Sequence, residues 1–285
     1  MMFFSIQRGD RGQTVSDIQK ALNETRNANL VEDGIYGANT DKAVRKVADE
    51  IHATTCSAGP GVFRAIGIEQ VAIADISDHQ FEVDFRKLRS SGVQGVILKA
   101  SEGFDWQTRK IERFAQAKDA GLLVGAYHFG RPDLHDEDPD GPKRERENYE
   151  DVLDRSGVEI DFLSIYDFEK GNKEKDEFSV WYCQEWNPCI IYTAKWAIDS
   201  LAGKERDGLV KNGEKLWIAD YVRTSGKRQP TDKISPWGSW QLWQHTNRHE
   251  TDAVLDRAGR PARIDMNWTH RGRLSSLLRK EVREC

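Results

Sequence analysis

Two carboxylates separated by one residue, Asp167 and Glu169, are the strongest chemical signal in the sequence. They end an apolar run typical of a buried strand, so side-chain alternation places both acids on one face and Phe168 on the other. Two carboxylates held together in a partly apolar setting cannot both ionise freely, and we expect one to keep its proton near neutral pH. Such a pair suits cleavage of a glycosidic bond. A structural pair bridged to lysine or arginine is the alternative; a metal site is disfavoured because no histidine or further carboxylate lies beside the pair at ligand spacing.

Seven other apolar runs also end in ionisable, amide or aromatic side chains. The eight runs lie at residues 71–76, 95–99, 123–129, 162–168, 189–193, 216–219, 240–244 and 264–266. Besides the acid pair, the residues at or just beyond their ends are Asp75, Lys99, Glu102, Tyr127, His128, Tyr192, Asp220, Tyr221, Gln244 and Asp265. In β/α barrels the active site lies at the C-terminal ends of the strands, so we expect these side chains to meet there.

The spacing of the runs predicts an α/β fold. Helical stretches at residues 85–91, 110–120 and 144–153 fill the early gaps, which indicates a parallel sheet buried on both faces. The later gaps at residues 223–238 and 247–263 are polar and loop-like. The sequence therefore predicts a shortened TIM-like β/α barrel with its last helices missing.

A small all-α unit precedes the predicted barrel. Apolar residues recur at helical spacing around Val15 and Val44, on either side of a glycine turn. Residues 56–61 are small and turn-forming, which is typical of a linker. We predict a first domain over residues 1–55, a linker over 56–70 and a second domain over 71–285.

Composition excludes several classes of protein. Forty-two Lys and Arg against 47 Asp and Glu give a net charge of −5, which argues against a nucleic-acid partner. No apolar run reaches the 18 or so residues of a membrane span, and the first residues do not form a secretory signal. Four cysteines are too few for a disulfide framework, although a Cys183–Cys189 bridge stays open. We expect no cofactor and a monomer.

The second domain resembles the family 25 glycoside hydrolases, the lysozyme-like N-acetylmuramidases. The resemblance covers about residues 70–270, on the motifs Asp75-Ile76-Ser77, Lys99-Ala100-Ser101-Glu102-Gly103, Gly125-Ala126-Tyr127-His128-Phe129, Asp167-Phe168-Glu169, Ile191-Tyr192-Thr193, Leu216-Trp217-Ile218-Ala219-Asp220-Tyr221, Trp243-Gln244 and Ile264-Asp265-Met266-Asn267. It implies hydrolysis of the β-1,4 bond between N-acetylmuramic acid and N-acetylglucosamine. Glu169 would be the general acid and Asp167 its partner carboxylate, with Asp75 and Asp265 completing an acidic floor. The implied groove-lining residues are Lys99, Glu102, Tyr127, Tyr192, Tyr221 and Gln244.

The first domain resembles the peptidoglycan-binding domain type 1 family. The match covers about residues 5–52 and is carried by Gly9-Asp10-x-Gly12 and by Asp33-Gly34-Ile35-Tyr36-Gly37-x-x-Thr40. A wall-binding module joined to a hydrolase implies a modular phage endolysin, made in the host cytoplasm and released to the cell wall through a holin-type pore. Signal-independent export from a bacterium, and a non-catalytic peptidoglycan-binding protein, are the alternatives.

The sequence leaves open the mechanism of hydrolysis and the role of one acidic stretch. Substrate assistance by the 2-acetamido group, with retention of configuration, is favoured over water attack, but the sequence gives no carboxyl separation. The pattern Asp136-x-Asp138-x-Asp140-Gly141, followed by Glu147, matches a calcium loop, although we favour a solvated acidic loop because no entering helix precedes it.

Overall fold

Eight strands form a closed barrel. The computed structural model describes residues 5–53, 57–134, 138–169, 177–221 and 234–279. The barrel strands are β1 (Gln70–Ile76), β3 (Gly95–Glu102), β5 (Leu123–Phe129), β6 (Ile165–Asp167), β7 (Ile190–Ala194), β8 (Lys215–Ala219), β9 (Leu242–Leu255) and β10 (Pro261–His270). Each pairs with the next in this order, and β10 pairs with β1 to close the ring. Two short strands, β2 (Glu82–Val83) and β4 (Trp106–Gln107), pair with β9 and β3.

Alternation along each strand separates the barrel interior from the layer beneath the helices. On β1, Val71 and Ile73 lie in the interior cluster, whereas Ala74 and Ile76 pack outward. Close packing inside requires glycine at residue 125, where a Cβ would lie 3.0 Å from the side chain of Ile97. Because successive side chains alternate, the residue two positions after an interior apolar side chain also faces inward, one layer higher. Asp75 therefore enters the upper layer of the barrel two positions after Ile73.

Helices cover the outside of the barrel. Among the described residues they are α4 (Phe85–Ser90), α5 (Glu112–Asp119), α6 (Gly141–Ser156), α7 (Glu177–Trp186), α8 (Lys195–Asp199) and α9 (Gly203–Gly208), while α10 (Arg271–Leu274) follows the last strand at the base of the barrel. Apolar side chains of α4 to α7 share one core with the outward faces of the strands. At the opposite end from Asp75, three leucines close the interior: Leu274, Leu277 and Leu278. In the described parts of the chain, no helix has both the length and the apolar character to cross a membrane.

The sheet is not wholly parallel, which corrects the sequence prediction. Strand β10 runs antiparallel to both β9 and β1, while the other barrel strands pair in parallel. Residues 247–263 were expected to be a loop, but they form most of a β9–β10 hairpin joined at residues 256–260. The hairpin was missed because much of this ribbon is exposed and therefore polar. Of the other predicted gap, 223–238, residues 223–233 lie outside the described residues.

The helices before the barrel form their own apolar cluster. Helices α1 (Gln13–Arg26), α2 (Ala38–Glu50) and α3 (Pro60–Ala65) contribute to it, together with residues of the connecting turns. The buried amide of Gln19 donates to Asp33 Oδ1 at 2.9 Å and to Thr40 Oγ1 at 3.2 Å, and its oxygen accepts from the Gly34 amide at 2.9 Å. The Gln19 side chain therefore hydrogen-bonds to three residues of the motif that spans residues 33–40.

The stretch predicted as a linker differs from that expectation over its described residues. Helix α3 lies within it, and its Val62 and Phe63 are buried in the same cluster as α1 and α2. The glycines and proline that suggested a linker instead begin this helix, because proline is favoured in a first helical turn. The helices also contact the barrel base, where Asp17 accepts from His270 Nε2 at 3.1 Å and from Arg273 at 2.5 Å.

Two open questions from the sequence receive partial answers. Among the described residues, Cys183 is buried, Cys189 is exposed, and no disulfide joins them. Of the calcium pattern, Asp136 lies outside the described residues, while Glu147 lies on α6, which already begins at Gly141.

Candidate active site

A cleft of about 270 Å³ opens at the end of the barrel where the parallel strands terminate. Its lining contains eight residues that the sequence predicted for the site: Asp75, Lys99, Tyr127, Asp167, Glu169, Tyr192, Gln244 and Asp265. The other two predicted residues lie next to these, since Glu102 pairs with Lys99 and Tyr221 donates to Gln244. The structure thus brings the ten residues into one region.

The acid pair lies where β6 ends. Asp167 is the last residue of β6 and only 5% exposed, Phe168 is buried in the outer core, and Glu169 is half-buried. Both acids line the cleft. The Tyr192 hydroxyl oxygen lies 3.4 Å from Glu169 Oε1, so a residue of the neighbouring strand β7 contacts this carboxylate. Alternation across Phe168 therefore gives the arrangement expected from the sequence.

Two further carboxylates face each other across the seam of the barrel. Asp75 on β1 and Asp265 on β10 are direct partners in the antiparallel register. Burial raises the pKa of Asp75 to about 6, against hydrogen bonds that lower it and together with the charge of Glu169 that raises it further. Burial and the charges of Asp75 and Glu169 raise the pKa of Asp265 to about 8. Because the pKa values of both carboxyls are raised, this coupled pair retains a proton near neutral pH.

Gln244 connects the acids to the tyrosines. Its Oε1 accepts from the hydroxyls of Tyr192 and Tyr221, each at 2.9 Å. Its Nε2 donates to Asp75 Oδ2 at 3.1 Å and to Asp265 Oδ2 at 3.2 Å. A primary amide has two donor hydrogens and two acceptor lone pairs, so these four contacts use its full capacity. Gln244 is thus suited to hold its neighbours in place.

The tyrosines of the cleft stay protonated over the whole useful pH range. Burial, followed by the charge of Asp167, raises the pKa of Tyr127 well above its ordinary value. Burial and the charge of Glu169 do the same for Tyr192. Their hydroxyls can therefore donate hydrogen bonds to oxygen atoms beside the carboxylates.

Lys99 brings positive charge to the cleft, but that charge is already paired. Its Nζ lies 2.6 Å from Glu102 Oε2 and 4.7 Å from the ring centroids of both Trp106 and Phe129. The other oxygen of Glu102 accepts from Arg131 at 2.8 Å. The ion pair and the two rings fix the position of Lys99 at the cleft wall.

Sequence reasoning missed several residues of the site. Asn267 donates to Asp75 Oδ2 at 2.7 Å and accepts from Trp217 Nε1 at 2.7 Å, and Trp217 itself lines the cleft. The available signal was parity, because Asn267 follows Asp265 by two positions and shares its face. Ser77, His79 and Gln80, in the loop after β1, also line the cleft, although the sequence prediction stopped at Asp75 on this strand.

His128, which the sequence placed at a strand end, lies outside the cleft. It is fully buried, with Ser101 Oγ at 2.9 Å from Nδ1 and Glu145 Oε2 at 2.7 Å from Nε2, and it stacks on Trp186. The alternation that turns Tyr127 inward turns His128 outward beneath α6. Within the described ranges, no group of three or more histidine, cysteine or acidic side chains is arranged to hold a metal ion.

Comparison with known proteins identifies the family of the barrel. The family model described as "Glycosyl hydrolases family 25" matches residues 74–254, which include most of the cleft. The "Autolytic lysozyme" of Clostridium acetobutylicum is 33% identical over 96 residues, 33% of this chain and 27% of that protein. "Lysozyme M1" of Streptomyces globisporus is 26% identical over 196 residues, 60% of each chain. The chain thus spans less than two thirds of the length of these curated relatives.

Solved structures share the fold at low sequence identity. The spore cortex lytic enzyme SleM of Clostridium perfringens is 21% identical with a TM-score of 0.59, covering 73% of this chain and 69% of that one. The catalytic domain of an endolysin from a bacteriophage of Listeria monocytogenes is 20% identical with a TM-score of 0.54, covering 72% of this chain and 95% of that one. These likenesses place the barrel among known folds.

Proposed function

Because the chain belongs to the glycosyl hydrolases of family 25, we propose that it is a peptidoglycan hydrolase that cleaves the β-1,4 bond between N-acetylmuramic acid and N-acetylglucosamine. The observation that carries this proposal is the convergence of Asp167 and Glu169 in one cleft with Asp75 and Asp265. Four carboxylates in one small cleft can supply both a proton and the negative charge that stabilises a developing oxocarbenium ion.

In the proposed mechanism, Glu169 is the general acid that protonates the glycosidic oxygen as the bond to C1 breaks. Asp167 accepts the N–H of the 2-acetamido group, so that the acetamido oxygen attacks C1 and forms a cyclic oxazolinium intermediate. Glu169, now ionised, then removes a proton from the water that attacks C1. The bond between C1 and the acetamido oxygen breaks, the acetamido group is restored, and configuration is retained. Asp75 and Asp265 form the acidic floor of the cleft. Tyr127 and Tyr192 contribute hydroxyl donors that stay protonated beside these charges.

The experiment that tests this proposal compares Glu169→Gln with wild type on purified peptidoglycan. We expect wild type to release fragments with reducing N-acetylmuramic acid ends, identified by mass spectrometry, and the variant to release at least about a hundredfold less, since a general acid contributes 10²–10⁴. The exposed Glu150→Gln on α6 is the matched control and keeps full activity. Release of N-acetylglucosamine ends would assign a different bond.

The alternative is a non-catalytic wall-binding protein, and the same experiment separates the two. In that case wild type sediments with the wall but releases nothing. The anomeric form of the first product, followed by NMR, tests the proposed substrate assistance, because an inverted product excludes the cyclic intermediate.

We propose that helices α1 and α2 act as a peptidoglycan-binding module and that the whole chain is an endolysin. A module that holds the polymer raises the effective concentration of glycan at the cleft. The proposed route is synthesis in the cytoplasm of a host bacterium and release through a holin-type pore. Production inside a Gram-negative host should leave cells intact until a pore-forming protein is co-expressed. Lysis without the pore would contradict this route.

A further inference from the structure

The loop of residues 77–81 forms one wall of the cleft. It follows Asp75 directly and leads into β2, and its Ser77, His79 and Gln80 line the cleft. The His79 side chain belongs to an exposed residue, so it is presented to whatever occupies the cleft. A loop in this position decides which groups a bound glycan meets next to the acidic floor.

Two cations bind the main chain of this loop from outside the barrel. Arg113 on α5 donates to the carbonyl oxygens of Ser77 at 3.0 Å, Gln80 at 2.6 Å and Phe81 at 3.1 Å. Lys110, just before α5, donates to the carbonyls of Asp78, Gln80 and Phe81 at 3.3, 2.7 and 3.2 Å. Six hydrogen bonds from two charged groups therefore converge on four carbonyl groups within residues 77–81.

Side chains of the loop complete its anchoring. Gln80 Oε1 accepts from the Ser77 amide at 2.9 Å, and Gln80 Nε2 donates to the Arg263 carbonyl at 3.2 Å. Asp78 Oδ1 accepts from Thr108 Oγ1 at 2.7 Å. Asp78 and Gln80 are thus committed to holding the loop, which leaves the His79 imidazole as the group that the loop offers to a ligand.

Arg113 is buried, and a buried guanidinium raises the free energy of the folded protein unless its hydrogen bonds are kept. Arg113 is only 6% exposed, and a buried guanidinium must recover its lost hydration through hydrogen bonds. Main-chain carbonyls supply those bonds only while the loop keeps its conformation, so the cation and the loop stabilise each other. A loop fixed before binding loses little conformational entropy when a ligand arrives.

We propose that His79 contacts the glycan directly and that Arg113 and Lys110 are positioning residues that act through the loop. The inference rests on the proposed function, and its ligand is the sugar unit bound beside Asp75. The imidazole can exchange hydrogen bonds with a hydroxyl or acetamido group of that sugar.

The test is a double-mutant cycle on soluble, uncross-linked peptidoglycan fragments. We expect His79→Ala and Arg113→Met each to raise KM about tenfold with kcat unchanged, the value of one good hydrogen bond. The double variant should be no worse than about tenfold, because Arg113 acts through His79. Arg113→Lys should have a KM between those of wild type and Arg113→Met. Lys110→Met removes the other cation that binds the loop and should also raise KM.

Lys118→Met is the matched control, because Lys118 lies on the same helix but pairs with Asp161 at 2.7 Å, away from the loop. It should lower the thermal midpoint and leave KM unchanged. Independent effects that multiply to about a hundredfold in the double variant, or an unchanged KM in either single variant, would overturn the proposal.

Two further measurements, one of hydrogen exchange and one of binding, test this inference separately from the proposed hydrolysis. Hydrogen exchange of the amides of residues 77–81, without substrate, should accelerate in Arg113→Met and not in Lys118→Met; unchanged exchange removes the positioning role. If wild type releases no products from peptidoglycan, the proposed hydrolysis is wrong. Calorimetric titration of the soluble, uncross-linked fragments into wild type and into His79→Ala still tests whether His79 contacts the glycan. Equal affinities in that titration remove His79 from the site.

Discussion

Partly buried carboxyl groups at the two ends of the barrel have pKa values shifted in opposite directions. At the mouth, the pKa of Asp75 is raised to about 6 and that of Asp265 to about 8. At the base, burial also favours the neutral form of Asp17, but the hydrogen bond from His270 and the charge of Arg273 outweigh it and lower its pKa. The groups that face each acid therefore decide its acidity.

The opposite pKa shifts distinguish a structural carboxylate at the base from the candidate reactive carboxyls at the mouth. Asp17 faces an imidazole and a guanidinium, which stabilise its charge and join the helices to the barrel. Asp75 and Asp265 face amide groups and each other, so negative charge is held there at a cost in free energy. Raised carboxyl pKa values in a cleft are typical of functional sites, so the energetics favour the same candidate site as the geometry.

The largest expected effect is on activity at the mouth. Asp265→Asn keeps an oxygen that can accept from Gln244 but removes the titrating group, and we expect kcat to fall about a hundredfold. The thermal midpoint at pH 8 should stay the same or rise, because a repulsive charge is lost. Kinetics on peptidoglycan and calorimetric melting check both parts. A stable variant with full activity would place Asp265 outside the reaction.

Next in size is a pH dependence of stability that differs between the two ends. The folded-state pKa values of about 6 and about 8 exceed the ordinary 3.8, so the folded protein holds more protons than the unfolded chain between about pH 4 and 8. The contribution of the mouth to the free energy of unfolding should therefore fall as pH rises through this window. Denaturant titrations at pH 5 and pH 8 measure it, and Asp265→Asn should flatten the slope. A slope unchanged by that substitution would contradict the assignment.

Asp17 should behave in the opposite way. Its lowered pKa means that its contribution is present above about pH 4 and is lost as pH falls below that value. We expect Asp17→Asn to reduce the free energy of unfolding by about 2–3 kcal/mol at pH 7, because it leaves the largely buried Arg273 without its anion. Activity on soluble fragments should not change. An altered kcat would mean that the two ends are coupled.

The smallest effect is expected from an exposed ion pair at the same base. Glu69 accepts two hydrogen bonds from Arg271, at 2.5 and 2.7 Å, but both side chains are more than half exposed. Glu69→Gln should cost less than about 1 kcal/mol, since water and salt screen such pairs. Comparison of its denaturation midpoint with that of Asp17→Asn isolates burial as the variable. Equal losses would show that burial does not control these contacts.

Much of the barrel could be predicted because its strands repeat one pattern. Ile73 precedes Asp75, Ile165 precedes Asp167 and Leu242 precedes Gln244 by two positions, and in each case the first residue lies in the interior core and the second lines the cleft. An apolar lower layer beneath a polar upper layer can be read directly from the sequence.

Strand direction could not be predicted in the same way. Side chains alternate between the two faces of a strand in the same way whichever direction the chain runs. The run at 264–266 therefore predicts that Asp265 faces inward but does not predict that β10 is antiparallel to its neighbours. Asp265 reaches the mouth from the first half of its strand, while His270 lies at the base. The loop of residues 77–81 was missed for a different reason, since the carbonyls of Ser77 and Asp78 accept from Arg113 and Lys110, which lie more than 30 residues further along the chain.

The antiparallel pairing of β1 with β10 also governs when the cleft can exist. Asp75 and Asp265 are partners although 190 positions of sequence separate them, and nearly the whole barrel lies between the two strands. Joining residues this far apart in sequence costs loop-closure entropy and slows folding. During synthesis the acidic floor can assemble only after β10 has left the ribosome, because Asp265 lies on that strand. A nascent chain that ends before β10 therefore cannot hold all four carboxylates in one cleft.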